Sequence, residues 1–177
     1  MPRDNWQARS TPRLLDFPRL FGPLIAMQKN DPYRLHQSLS YHLSVAARLQ
    51  ERRLDEQLKT LGLSRTTWCI LLAVGNEDLS QPSDIAEFVG IDRTATSRAL
   101  LKMEEDGLLG RSSGTEDKRT RQVVLSDQGR DAIAKATPFA RKNSEILANI
   151  LTGDEADELW RILSKIEDSA DIPLKTL

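Results

Sequence analysis

The chain has 177 residues, 39% of them apolar and 29% charged, and its 25 basic and 26 acidic side chains leave a net charge of −1. That length can bury one or two modest cores, but no stretch approaches the roughly 18 apolar residues of a membrane span, and the single cysteine, Cys69, excludes an internal disulfide. Near-neutrality also excludes nucleic-acid affinity from bulk charge, so any such binding must come from local basic patches.

Residues 1–30 hold Pro2, Pro12, Pro18 and Pro23, a spacing that forbids one long helix. Leu14, Leu15, Phe17, Leu20, Phe21, Leu24 and Ile25 are nevertheless too apolar for a solvated tail. The expectation is an arm packed on the body or on a partner subunit; a membrane-surface role lacks the strongly basic face it needs. The first residues show no continuous apolar segment of the secretory type, which leads to an expected cytoplasmic location. Asp31-Pro32 reads as cap and first-turn proline of a long helix whose stripe, Leu35, Leu39, Leu43, Ala46, Leu49, Leu54 and Leu58, runs towards Gly62. Ser64 then caps a helix with Trp68, Leu71, Leu72 and Gly75 on one face, before a polar loop over 76–81.

From Pro82 to Leu125 the pattern is two short helices, a tight turn and a hairpin. Pro82 suits a first helical turn and Asp84 the positive helix end; Ile85, Phe88 and Val89 form the apolar side, and Gly90 stops the helix. Asp92 caps a second helix in which Thr96, Ala99, Leu100 and Met103 recur at i, i+3, i+4 and i+7 as an inner face. Its other face carries Arg93, Thr94, Ser97, Arg98 and Lys102, side chains suited to phosphates and base edges, which makes it a candidate recognition helix. After Gly107, strand-like runs over 108–112 and 121–125 flank a charged tip. Lys118, Arg119 and Arg121 cluster there, and an extended arginine at such a tip can enter a minor groove. Taken alone, a charged tip is equally a solvated turn; following this helix pair it reads as a DNA-binding wing.

From Ser126 a helix passes Ile133, Ala136, Ala140, Leu147, Ile150 and Leu151 and is expected to be interrupted and bent at Pro138. Thr152 to Glu155 fits a capping box, and the last helix shows Leu159, Ile162, Leu163 and Ile166 at i, i+3, i+4 and i+7. Terminal apolar stripes need cover, and packing the first helix with the last two, then the bundle against its copy, supplies it and matches the two-fold symmetry of operator DNA. His36 and His42 are six apart and share no helix face with metal-ligand spacing; no cofactor is implied. There is no phosphate loop, nucleophile elbow or triad spacing, so no catalytic residue is assigned and an enzyme is not expected.

The stretch Ser64 to Val74 with its Trp68, the run from Ser83 to Arg111, the wing triplet Asp117-Lys118-Arg119, and Val123-Val124-Leu125-Ser126-Asp127-Gln128-Gly129 together resemble the MarR family of transcriptional regulators over about residues 33–170. The resemblance implies a mainly α fold with a small β wing: a winged helix-turn-helix over 63–126 and a helical dimerisation region over 31–62 and 127–172. It further implies a homodimer on a pseudo-palindromic operator, repressing nearby genes until a small molecule or oxidant respaces its reading heads, with Arg119 in the minor groove and Asp117 positioning it. His42, with Tyr41 and Arg48, and Trp68 are candidates to meet an anionic aromatic effector, although a tryptophan at this spacing equally fits a core, and the polar side of the helix equally fits solvent. Cys69 is a candidate oxidation sensor, against which stand its apolar helix and the family's placement of reactive cysteines near the start of the first long helix. An acidic residue follows the equivalent tryptophan in the urate-responsive subgroup; Cys69 stands there instead, so urate is not implied. Two alternatives remain open: a winged helix that docks proteins without touching DNA, and a sensor acting through Cys69.

Overall fold

The computed structural model describes residues 32–113 and 121–169. The expected arm over 1–30, Asp31, and the wing-tip residues Asp117, Lys118 and Arg119 lie outside the described residues, as does the side chain of Arg121. The chain divides into two compact units, Met1–His42 and Leu43–Leu177.

The helix expected from Asp31-Pro32 starts later. A single 3-10 turn, Leu35–Gln37, closes with the Ser38 N–H donating to the Leu35 carbonyl at 3.1 Å, and Ser38 is then extended (φ −84°, ψ 127°). That extended residue breaks the ladder, which restarts when the His42 N–H donates to the Ser38 carbonyl at 3.2 Å, so that helix α1 spans Leu39–Thr60. Along α1 only Leu58 is buried, while Leu39, Leu43 and Leu49 stay exposed. The expected stripe is therefore covered only towards its C-terminal end.

Helix α2 (Arg65–Gly75) is capped as expected: the Thr67 N–H donates to Ser64 Oγ at 3.1 Å. Arg65 then ties α2 back to α1. Its Nη1 lies 2.6 Å from Glu51 Oε1, and its Nε and Nη2 donate to the two Asp55 oxygens at 3.1 and 2.8 Å. Trp68, Ile70, Leu71, Ala73 and Val74 are all buried, so α2 is enclosed on several sides rather than along one stripe. It is the centre of the core, which adds Leu58, Leu63, Ile85, Val89, Leu100, Met103, Leu108, Leu109, Val123 and Ala136 from the elements around it.

Helices α3 (Pro82–Val89) and α4 (Arg93–Glu105) lead into an antiparallel pair, β1 (Leu109–Ser113) and β2 (Arg121–Leu125), in a register that sets Leu109 opposite Leu125 and Arg111 opposite Val123. The buried arc of α3 is Ile85, Ala86 and Val89. Phe88, expected on it, lies roughly 100° of helical rotation from the centre of that arc and is 52% exposed.

Helix α5 (Asp127–Ala148) runs unbroken through Pro138. The proline is exposed, and one missing donor is outweighed by buried Ala136 and the partly buried Ile133 and Ala140 on either side. Helix α6 (Gly153–Asp168) opens on the expected capping box: the Thr152 N–H donates to Glu155 Oε2 at 2.8 Å and the Glu155 N–H to Thr152 Oγ1 at 3.3 Å. No residue of α6 is buried, and Trp160 is 71% exposed. Among the described residues no helix is long and apolar enough to cross a membrane.

Candidate nucleic-acid interface

The helix-turn-helix is fixed by its turn. Gly90 takes the left-handed conformation (φ 75°), which lets its own N–H donate to the Glu87 carbonyl at 3.2 Å and the Ile91 N–H to the Ala86 carbonyl at 3.2 Å. A side chain at Gly90 would strain that closure. Two residues on, Asp92 Oδ1 accepts from the Thr94 and Ala95 N–H groups at 2.8 and 2.9 Å, while the buried Thr96 hydroxyl donates to the Asp92 carbonyl at 2.9 Å. The first turn of α4 is thus held from both sides, with a carboxylate at its positive end.

That anchoring presents one face outward. Thr94, Ser97, Arg98 and Leu101 recur at i, i+3, i+4 and i+7 and are exposed, flanked by exposed Arg93 and Lys102. The inner face is the expected one: Thr96, Leu100 and Met103 buried, Ala99 half-buried. Among the described residues neither Arg93 nor Arg98 has an ion-pair partner, so both guanidinium groups are available to an anion. Lys102 is engaged locally: its Nζ lies 2.7 Å from Asp106 Oδ1, and that hydrogen bond raises the ammonium above its ordinary value. Leu101, 56% exposed in the middle of this polar face, was not singled out from the sequence.

The wing is pinned to α4 at its base. Gly107 (φ 73°) lets the Leu108 N–H donate to the Met103 carbonyl at 2.9 Å, and Ser126 donates twice, Oγ to the Gly107 carbonyl at 2.6 Å and N–H to the Leu108 carbonyl at 3.2 Å. The same Ser126 Oγ accepts the Gly129 N–H at 2.9 Å and so caps α5. Further out, Arg111 Nε donates to Glu104 Oε1 at 2.6 Å, joining β1 to α4. A helix-to-strand pair leaves no periodic trace, so this one is not legible from residue spacing.

The residues expected at an effector site take different local roles. Between α2 and α5 lies an open cleft of about 410 Å³ lined by Trp68, Leu72 and Asn76 on one side and Thr137, Ala140, Arg141, Ser144 and Glu145 on the other. Trp68 is at once a core residue, 4% exposed, and part of this lining. Cys69 and Arg48 do not line it; Arg48 Nε donates to the Ser44 carbonyl of its own helix at 3.1 Å. His42 bonds within the N-terminal unit, through Nε2 to the His36 carbonyl at 2.9 Å. Burial raises the Cys69 thiol above its ordinary value and outweighs the nearby charge of Arg65. Arg141 and Glu145 went unnoticed because charges on a helix ordinarily mark a solvated face. Among the described residues no group of three or more His, Cys, Asp or Glu side chains could hold a metal ion.

Comparison with known proteins gives the same architecture. Residues 61–120 match the sequence model of the MarR family. Bordetella bronchiseptica BpsR, whose DNA binding is regulated by 6-hydroxynicotinic acid, is similar at TM-score 0.69 and 19% identity, over 79% of this chain and all of that one. A mutant of E. coli MarR complexed with operator DNA is similar at TM-score 0.65 and 22% identity, over 72% of this chain and 92% of that one. The repressor CouR, bound to a 23-mer DNA duplex, is similar at 0.66 and 24%, over 77% and 99%. The chain therefore has the winged helix-turn-helix fold of these regulators, and residues 61–120 carry the match to the MarR family's model.

Proposed function

We propose that the chain is a cytoplasmic, homodimeric transcriptional regulator that reads operator DNA and represses until a small effector releases it. The observation that carries this reading is the outer face of α4, where exposed Arg93, Thr94, Ser97 and Arg98 stand on a doubly capped first turn, the two arginines without acidic partners among the described residues. In this reading Arg93, Thr94, Ser97 and Arg98 enter a major groove, Lys102 and Lys118 and Arg121 approach phosphates, and Arg119, positioned by Asp117, reaches the adjacent minor groove. Residues 63–126 read DNA, and 31–62 with 127–172 dimerise. Exposed Leu147, Ile150, Trp160, Ile162 and Ile166 on or next to α5 and α6 support this division, because a second copy would cover them and a two-fold pair would present its reading heads one helical turn apart.

The cleft between α2 and α5 is the place for an effector. Trp68 and Leu72 offer an apolar wall and Arg141 a cation, a combination suited to an aromatic acid. His42, Arg48 and Cys69 are retained as candidates only if the dimer brings them to it. Fluorescence anisotropy with DNA from upstream of the gene, across a salt series, tests the reading. Specific binding is expected, and Arg98→Ala should lower the slope of log K against log salt by about 0.9 if its partner is one phosphate. Ser97→Ala should change the motif recovered from randomised DNA more than the overall affinity. Binding that is absent at every salt, or insensitive to changes on the α4 face, contradicts the proposal. Binding to a protein instead supports a docking module.

A further inference from the structure

Four of the ion pairs among the described residues lie within or at the end of one helix and are exposed: Arg52–Glu56, Lys102–Asp106, Arg130–Asp127 and Arg161–Glu158. Such pairs contribute little. Arg111–Glu104 differs in two respects. It joins separate elements, β1 and α4, and its side chains are only 29% and 24% exposed, with a 2.6 Å contact. The backbone between the two elements is a single turn over Asp106, Gly107 and Leu108, and Ser126 pins its base. At the level of Arg111 the opposite strand is held by the Val123 N–H, which donates to the Ser80 carbonyl at 2.9 Å, while on β1 a charge-assisted bond from Glu104 across the turn to Arg111 fixes the strand against α4 itself.

We infer that the Glu104–Arg111 pair is a strut that sets the angle between the recognition helix and the wing, and that Arg111 is a positioning residue and not a phosphate contact. This rests on the DNA-reading role proposed above. A basic residue on the first wing strand would otherwise be counted with the phosphate binders; here its charge is met by a carboxylate of the protein itself. Setting the angle matters because a major-groove helix and a minor-groove wing must be engaged together on one rigid duplex, and a misplaced wing costs affinity without the loss of any DNA-contacting side chain.

The test compares wild type, Arg111→Gln, Glu104→Gln and the reversed pair Glu104→Arg with Arg111→Glu on the same upstream DNA. Affinity is measured across a salt series, with hydroxyl-radical footprints for the minor groove and guanine methylation for the major groove. Each single variant is expected to bind about tenfold more weakly with an unchanged salt slope. Minor-groove protection should weaken before major-groove protection, and the reversed pair should recover most of the loss. The inference is overturned if Arg111→Gln lowers the slope by about one while Glu104→Gln has no effect, since Arg111 then holds a phosphate. It is equally overturned if the reversed pair stays as weak as the single variants. Should Arg111→Gln not fold, Glu104→Gln and Arg111→Lys carry the same comparison. A wild type that holds no DNA removes the reading role itself, an outcome distinct from a wild type that binds normally beside indifferent variants.

Discussion

Gly129→Ala tests the packing that holds the wing base to α5. A Cβ at Gly129 would stand 2.2 Å from the Leu108 carbonyl oxygen and 3.0 Å from Leu125 Cδ2. The first contact is about 1 Å short of a normal van der Waals separation, and the offending atom is backbone, unable to swing aside. It also accepts the Ser126 N–H at 3.2 Å, so moving it weakens the bond that pins the hairpin. Overpacking of this kind costs about 3 kcal/mol and the strained hydrogen bond about 1 kcal/mol, against about 1 kcal/mol returned by the better helix propensity of alanine. The expected net loss is about 3 kcal/mol, which in a chain of this size lowers Tm by roughly 6–12 °C. Urea denaturation followed by circular dichroism, at one fixed protein concentration because an oligomer's stability depends on it, reads the difference. Gly153→Ala is the control of opposite sign: nothing lies within 4 Å of its Cβ at the start of α6, and a gain of about 0.5 kcal/mol is expected. A Gly129→Ala protein as stable as wild type would refute the reasoning.

Asp92→Ala removes the acceptor of two N–H groups at the start of α4. A stability loss of about 1 kcal/mol is expected, accompanied by weaker DNA binding that Asp92→Asn largely spares; equal DNA affinity in the alanine variant would show that the first turn needs no fixing. Arg65→Met leaves Glu51 and Asp55 facing the site of a lost cation. Since both acids are more than one-third exposed, the loss should be about 1 kcal/mol and shrink with added salt, and a salt-independent loss would mean packing rather than charge. The raised Cys69 thiol predicts slow alkylation of the folded protein at neutral pH, accelerating only as pH climbs past the ordinary thiol range. A thiol that reacts as fast folded as unfolded at pH 7 would contradict its burial.

What could be read in the sequence was local. The caps at Ser64, Asp92 and Thr152, the stop at Gly90 and the inner face of α4 all depend on residues within a turn or two of each other, and the structure has each of them. The Leu125-Ser126-x-x-Gly129 motif was recognisable as a pattern, but its cause was not. Ser126 bonds to both Gly107 and Gly129, and Gly129 admits the Leu108 carbonyl, contacts that cross from one element to another. Failures had the same origin. The Asp31-Pro32 start ignored an extended Ser38, Phe88 lies off the arc that the two-turn α3 turns to the core, and the Arg111–Glu104 and Arg65–Asp55 pairs join residues whose proximity only tertiary packing creates. A cleft between two helices is hidden for the same reason, being built from side chains that each helix alone would show to solvent.

In the proposed complex two copies of the α4 face are held one helical turn apart on a duplex. Light scattering of the protein with its upstream DNA, combined with footprinting of the same complex, measures it most directly. The account predicts two chains per duplex and two protected half-sites about 10 base pairs apart, centre to centre. A single chain per duplex, or one undivided footprint, would contradict it.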